Sequence, residues 1–480
     1  MRTVAPLLLA AALAAAAPAA ADTFEATPAD DLEQKIATLR PGDELIVHGG
    51  TYTLSGRFTV SLVGTAAAPI VIRAADGERP VIDRPNADQN IWDLDRADHV
   101  TLRGLEFRGG SAGLRITAAD HLTIEGCEIH DTEDVALRAN DGGATYRNLV
   151  IRGNHIHDTS GTGEGMYLGC NDDGCRVLDS IIERNWVHAT NGPGVSQGDG
   201  IELKEGSAGN VIRDNVIHDT NYPCILTYSA SGNGDANVIE RNLMWGCGDH
   251  AIQSAADATI RNNIILGSVA NGIAMQPHQA GTPSNLTVVH NTVLHADHDA
   301  VRASGITGRV VIANNALYAQ AGNAIAVAGD LGQVIVAGNR GVGALAGVTT
   351  GFTVGALATD VESGSYAGAP PMDLFPRAGS SLLAGGDVAY AATDDYNGRA
   401  RNGVADVGAY AFAPGGNPGP PIGPGIKPPT GSSSDGDGGV DGGDVSMTQP
   451  GGCCQTGGAP TSGLGLGAIA LALLVRRRRR

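Results

Sequence analysis

Apolar and polar residues alternate along much of this chain in short runs, broken by Gly, Asn and Asp. Side chains on a strand point alternately to its two faces, so the runs predict β-strands with one buried side. A longer period is laid over the alternation: an apolar residue, two positions, Asn, one position, an apolar residue. It occurs as Ile151-x-x-Asn154-x-Ile156 and recurs around Asn185, Asn215, Asn242, Asn263, Asn291 and Asn315. Cys127 and Leu105 hold the Asn place in the two preceding rungs, and Asn339 in a weaker one after. Successive Asn are 31, 30, 27, 21, 28 and 24 residues apart. A repeat of this length with strand periodicity excludes a helical solenoid. It predicts an all-β fold, a right-handed parallel β-helix, with stacked coils from about Asp43 to about Val342.

The Asn has a physical reason. Coils of such a solenoid stack about 4.8 Å apart, as neighbouring strands do. An inward Asn can satisfy backbone groups stranded at a turn and also bond the Asn one coil away. One inward column of these Asn is therefore expected. His130, His157, His188 and His218 stand three residues after successive ladder positions, in near-identical Ile-His-Asp-Thr settings, and read as a turn stack rather than a metal site. Thr27-Pro28-Ala29-Asp30 reads as a helix start. With Leu32, Ile36 and Leu39 on one face, it predicts a short N-terminal capping helix over the open end of the solenoid.

Both ends of the chain read as export and retention signals. Arg2, the apolar run Leu7–Ala17 and the small residues Ala19 and Ala21 predict a signal peptide over 1–21. The cap and solenoid then occupy 22–347, and a closing segment 348–413. A Gly/Pro/Ser/Asp-rich stretch over 414–452 is expected to be a disordered linker. Residues 453–480 hold Cys453-Cys454, a short apolar stretch and five arginines. Without Arg2 and those five arginines, 26 basic residues face 51 acidic ones, a charge of about −25. Such a surface excludes nucleic acid and anionic lipid as partners. Cys170-Asn171-Asp172-Asp173-Gly174-Cys175 predicts a local disulfide, which suits an oxidising compartment. Nothing in the pattern calls for trimerisation, so a monomer is expected.

Two resemblances add expectations. The cysteine pair, apolar segment and arginine cluster resemble the MYXO-CTERM sorting signal of myxobacteria. This implies processing by a sorting protease at Cys453 or Cys454 and a protein anchored at the cell surface, on the outer membrane. Pro41-Gly42-Asp43-Glu44-Leu45-Ile46-Val47 and Pro69-Ile70-Val71-Ile72 resemble the opening coils of β-helical polysaccharide lyases of the chondroitinase-B type. Asp373-Leu374-Phe375-Pro376 and Asp406-Val407-Gly408-Ala409-Tyr410 resemble the closing segment of bacterial surface β-helix proteins.

A second strand recurs in each coil, and aligning its outward positions yields two rows. One holds Arg115, Arg138, Tyr167, Glu202, Leu226, Gln253 and Ala274; the other holds Asn140, Gly169, Lys204 and Tyr228. These positions are expected to face solvent. The loops Thr159–Cys175 and Ala189–Gln197, from the longest coils, are expected to wall a groove beside them. Only three lysines occur, Lys35, Lys204 and Lys427.

Gly198-Asp199-Gly200-Ile201-Glu202-Leu203-Lys204 resembles the strand that carries the base in lysine-dependent β-helical lyases. That resemblance implies Lys204 as base for the proton α to a uronate carboxylate, with Glu202 and Arg138 as further catalytic candidates. It also implies Ca2+ held by Glu202 or Asp199 together with Glu164, Asp172 or Asp173. Tyr167, Tyr228 and Asn140 would bind the polysaccharide. The lyase pattern places an arginine on the following coil, where this chain has Thr227 and Tyr228. Other readings stay open: an ion pair between Glu202 and Lys204, a glycosidase using two facing carboxylates, or a non-catalytic glycan-binding or structural surface protein.

Overall fold

The computed structural model describes residues 21–429. Residues 1–20 of the expected signal peptide, the rest of the linker beyond residue 429, and the tail with Cys453 and Cys454 lie outside the described residues. Strands from Thr23–Ala26 to Phe352–Val354 pair in parallel, each with the strand one coil further on, in one continuous sheet. The pairing is in register with the repeat: Ile151 faces Ile182, Ile182 faces Ile212, and Ile212 faces Ile239. These isoleucines are buried inside the coil, as the alternation requires.

The Asn column forms as expected. Asn215 Nδ2 donates to Ile182 O at 3.0 Å and to Asn242 Oδ1 at 2.9 Å. Its Oδ1 accepts from the backbone N and the Nδ2 of Asn185, both at 3.0 Å. The same bonds link Asn154 at one end to Asn339 at the other. The residue just before each ladder Asn, among them Gly153, Arg184, Asp214, Arg241 and Asn314, has positive φ. That left-handed corner turns the chain between sheets and strands its backbone groups, which the Asn amide then satisfies. The histidines stack face to face, with His157, His188 and His218 about 5.0–5.1 Å apart in nearly parallel planes. Asp131, Asp158 and Asp219, each following such a histidine, are also left-handed, a conformation short polar side chains tolerate.

The capping helix is Leu32–Ala37, with Leu32 and Ile36 buried over the first coil. Its cap is Asp31, whose carboxylate accepts from Gln34 N, and not the earlier Thr27. Thr27 instead bonds Asp30 and follows an unexpected first strand, Thr23–Ala26.

Beyond the last rung the chain packs against the outside of the solenoid. Phe375, Tyr396 and Tyr410 share a core with Val216, Leu243, Trp245 and Tyr318. The expected disordered linker is corrected here as far as it is described. Lys427 is buried, donating to Asp214 Oδ1 at 2.8 Å and standing 3.6 Å from the Tyr396 ring centroid. The physical reason is that Ile422 and the prolines around it cover Val216 and Leu243, which a free linker would leave to solvent. Among the described residues no helix is long and apolar enough to cross a membrane.

Candidate functional site

Register places Arg138, Tyr167 and Glu202 on three successive rungs. Lys204 follows Glu202 at the strand's end, and Asn140 lies half-buried in the adjacent row. Further along, the expected solvent face fails: Leu226, Gln253 and Ala274 are all buried. The loop between the strands Ile273–Met275 and Leu286–Val289 folds back over this part of the sheet, where Gln276 bonds Gln253 and Gly281 packs on Ala255. The two long loops do not wall an open groove either. They bond to each other, Ser196 N to Gly161 O at 2.8 Å.

Lys204 was expected to stand exposed and is only 4% accessible. Its Nζ donates to Glu202 Oε1 at 2.5 Å and to the Tyr228 hydroxyl at 3.2 Å. It also lies over the rings of Tyr167 and Tyr228, 4.5 and 4.9 Å from their centroids. Gly169, with φ of +92°, leaves the room: a Cβ there would stand 3.0 Å from Lys204 Cβ. The Tyr228 hydroxyl donates to Glu202 Oε1 at 2.9 Å, so it accepts from Lys204 and from His278 Nε2 at 3.1 Å. Gln279 Nε2 then reaches Asn171 Oδ1 at 2.9 Å, tying this loop to the disulfide loop. The ion-pair reading of Glu202 and Lys204 is the one the geometry realises. Burial acts to lower the Lys204 ammonium, but the Glu202 charge and hydrogen bond outweigh it and hold it above the ordinary lysine range.

Beside this pair, Glu164, Asp199 and Glu202 converge, one carboxylate oxygen of each lying within 4.8 Å of the others. All three are essentially inaccessible to solvent. Both oxygens of Glu164, both of Asp199 and Oε2 of Glu202 have no hydrogen-bond partner among the described residues. The Thr162 hydroxyl nearby is given to Asp134 at 2.7 Å. Burial raises the Glu164 carboxyl, and raises Asp199 well above the carboxylate range, with the neighbouring carboxylates adding to each. With all three ionised, three carboxylates against one ammonium leave two negative charges uncompensated, the charge of one divalent cation. Hard oxygens at this spacing suit Ca2+, whose Ca–O bonds of about 2.3–2.6 Å bridge such a gap. The expected ligands Asp172 and Asp173 are not part of the trio. Asp172 is exposed, and Asp173 is held by Arg176 at 3.1 Å and by Asn233.

The Cys170–Cys175 disulfide forms as expected, and a second one joins Cys224 to Cys247. The sequence reading missed the second bridge because its halves lie on neighbouring coils 23 residues apart. It also missed His278, which no repeat announces. Its one signal was a histidine inside a coil insertion.

The fold and the stacked Asn column define a right-handed parallel β-helix. Residues 12–197 match a family model described as Pel9A-like, right handed beta helix region, and residues 180–340 one described as right handed beta helix region. Pectate lyase PEL9 of Emericella nidulans (strain FGSC A4) is 26% identical over 146 residues, 28% of this chain. The match spans 35% of that relative's length. Among solved structures, an alginate lyase from Paenibacillus sp. str. FPU-7 is similar at 21% identity and a TM-score of 0.44, over 65% of this chain and 99% of that one. Pectate lyase Pel9A is similar at 15% identity and a TM-score of 0.48, over 82% and 97%.

Proposed function

We propose that this chain engages a uronate-containing polysaccharide on the face carrying Arg138 and Tyr167, over the buried Glu202. Glu164, Asp199 and Glu202 would hold a divalent cation, Ca2+ by ligand type. The observation that carries the reading is the buried carboxylate trio, with its unpartnered oxygens beside the only lysine in the coils. Partial likeness to a pectate lyase supports an acidic polysaccharide as the ligand class. A bound divalent cation would neutralise the uronate carboxylate and favour loss of the neighbouring proton. Lys204 Nζ is the candidate to take that proton, and Tyr167 and Tyr228 orient it. To act as a base it must first lose its own proton, which Glu202 holds in place. Glu202 bonds Lys204 through Oε1 and leaves Oε2 for the cation, so a cation drawing charge from Glu202 would ease release of that proton.

The second reading, a non-catalytic glycan binder, is favoured by the burial and pairing of Lys204. The deciding experiment incubates the purified protein with polyuronates, in Ca2+ or in EDTA, and follows the ultraviolet absorbance of an unsaturated product. Turnover that needs Ca2+ and is lost in Lys204→Met supports the lyase. Ca2+-dependent binding without product supports the binder, and neither response would sink both. On its sequence alone we also place the protein at the cell surface as a monomer, processed at Cys453 or Cys454. Mass spectrometry finding Arg476–Arg480 on the surface form would refute the processing.

A further inference from the structure

The cationic groups on this face are not equivalent. Arg115 is held between Asp93, at 3.5 Å, and Asp141. Lys204 is spent on Glu202. Arg138, on the rung between Arg115 and Tyr167, has only Asp134, at 3.5 Å. That carboxylate is already shared, since its other oxygen accepts the Thr162 hydroxyl and the Thr162 N–H. Arg138 Nε is shielded from water and has no partner among the described residues, while the side chain as a whole is 24% exposed. A guanidinium fixed by packing, reached by solvent and only loosely paired is a prepared place for a carboxylate, which it can take in fork geometry.

Resting on the reading that this face engages an acidic glycan, we infer that Arg138 binds a sugar carboxylate two rungs, about 10 Å, before Glu202 along the solenoid. The ligand then carries acid groups at two separated places, one at Arg138 and one held through the cation that the carboxylate trio would bind. This selects a run of acidic sugars, lying along the solenoid axis, over an isolated uronate in a neutral chain. The arginine acts without the cation, so its contribution survives chelation.

Calorimetry of the purified protein with polygalacturonate and with alginate, in Ca2+ and in EDTA, tests this. Arg138→Gln should weaken binding at least about tenfold in both buffers, as loss of a charge-assisted hydrogen bond predicts. It should also flatten the salt dependence, and Arg138→Lys should recover part of the loss. Arg115→Gln, whose charge is already neutralised, should stay within about twofold of wild type. If wild type binds a polyuronate and Arg138→Gln matches it, or Arg115→Gln loses as much, the inference fails while the glycan reading stands. If wild type binds neither polymer in either buffer, both fall together.

Discussion

Replacing Glu164 with Gln should stabilise the protein without Ca2+ and remove most of what Ca2+ adds. The substitution keeps shape and removes one of three carboxylates that lie within 4.8 Å of one another in a solvent-excluded site. Two like charges at that distance repel by about 3 kcal/mol at an effective dielectric constant of 20. Protonation relieves part of this, because burial already raises Glu164 and Asp199. A net gain of about 1–3 kcal/mol in EDTA is the expected remainder. With Ca2+ at about a thousand times its dissociation constant, the wild type should gain about 4.1 kcal/mol. The variant, lacking one ligand and one charge, should gain far less. Urea unfolding followed by the fluorescence of Trp92, Trp186 and Trp245 measures both. The curves should exchange order: variant above wild type in EDTA, wild type above variant in Ca2+. A variant less stable than wild type in EDTA, or an equal Ca2+ shift in both proteins, would refute the assignment of these carboxylates to a cation.

Three further outcomes follow from the packing. Asn215→Ala strips the buried backbone N–H and side-chain amide of Asn185 of their acceptor, and should cost about 2–4 kcal/mol; hydrogen exchange should quicken around residues 182–188 and not at 44–47. His290 is buried, and desolvation, with Arg401's charge adding to it, lowers its pKa to about 3. The unfolded chain takes up a proton near pH 6.5, so it binds more protons than the fold below that point. Stability should therefore fall as pH drops from about 6.5 towards 3, and His290→Gln should remove its share of the slope of melting temperature against pH in that window, leaving that of His155 and His188, which burial also lowers to about 3. Lys427→Ala removes a buried partner of Asp214 and should cost about 2–3 kcal/mol; subtilisin should then cut between residues 414 and 427, where the wild type resists.

The sequence alone determined the solenoid, its inward Asn column and the histidine stack. Each follows from a pattern repeated coil after coil, and stacking identical rungs leaves such a pattern one solution. It also determined that Glu202 and Lys204 share a face, because two residues apart on a strand means the same side. The resemblance to lysine-dependent lyases brought Glu164 and Asp199 into view, yet it also promoted Asp172, which the disulfide loop leaves exposed, and Asp173, which it turns to other partners. Only the tertiary structure decided whether Lys204 meets water or a carboxylate. That outcome depends on His278, 74 positions along the chain, which covers Tyr228, and on Gln279, which reaches Asn171 across 108 residues. The described part of the supposed linker, residues 414–429, was decided in the same way, by Lys427 finding Asp214 across 213 residues. A periodic sequence specifies the contacts that recur with its period. A loop that crosses several rungs, or a strap laid over the outside, makes contacts that occur once, and the energy that selects them exists only after the coils have stacked.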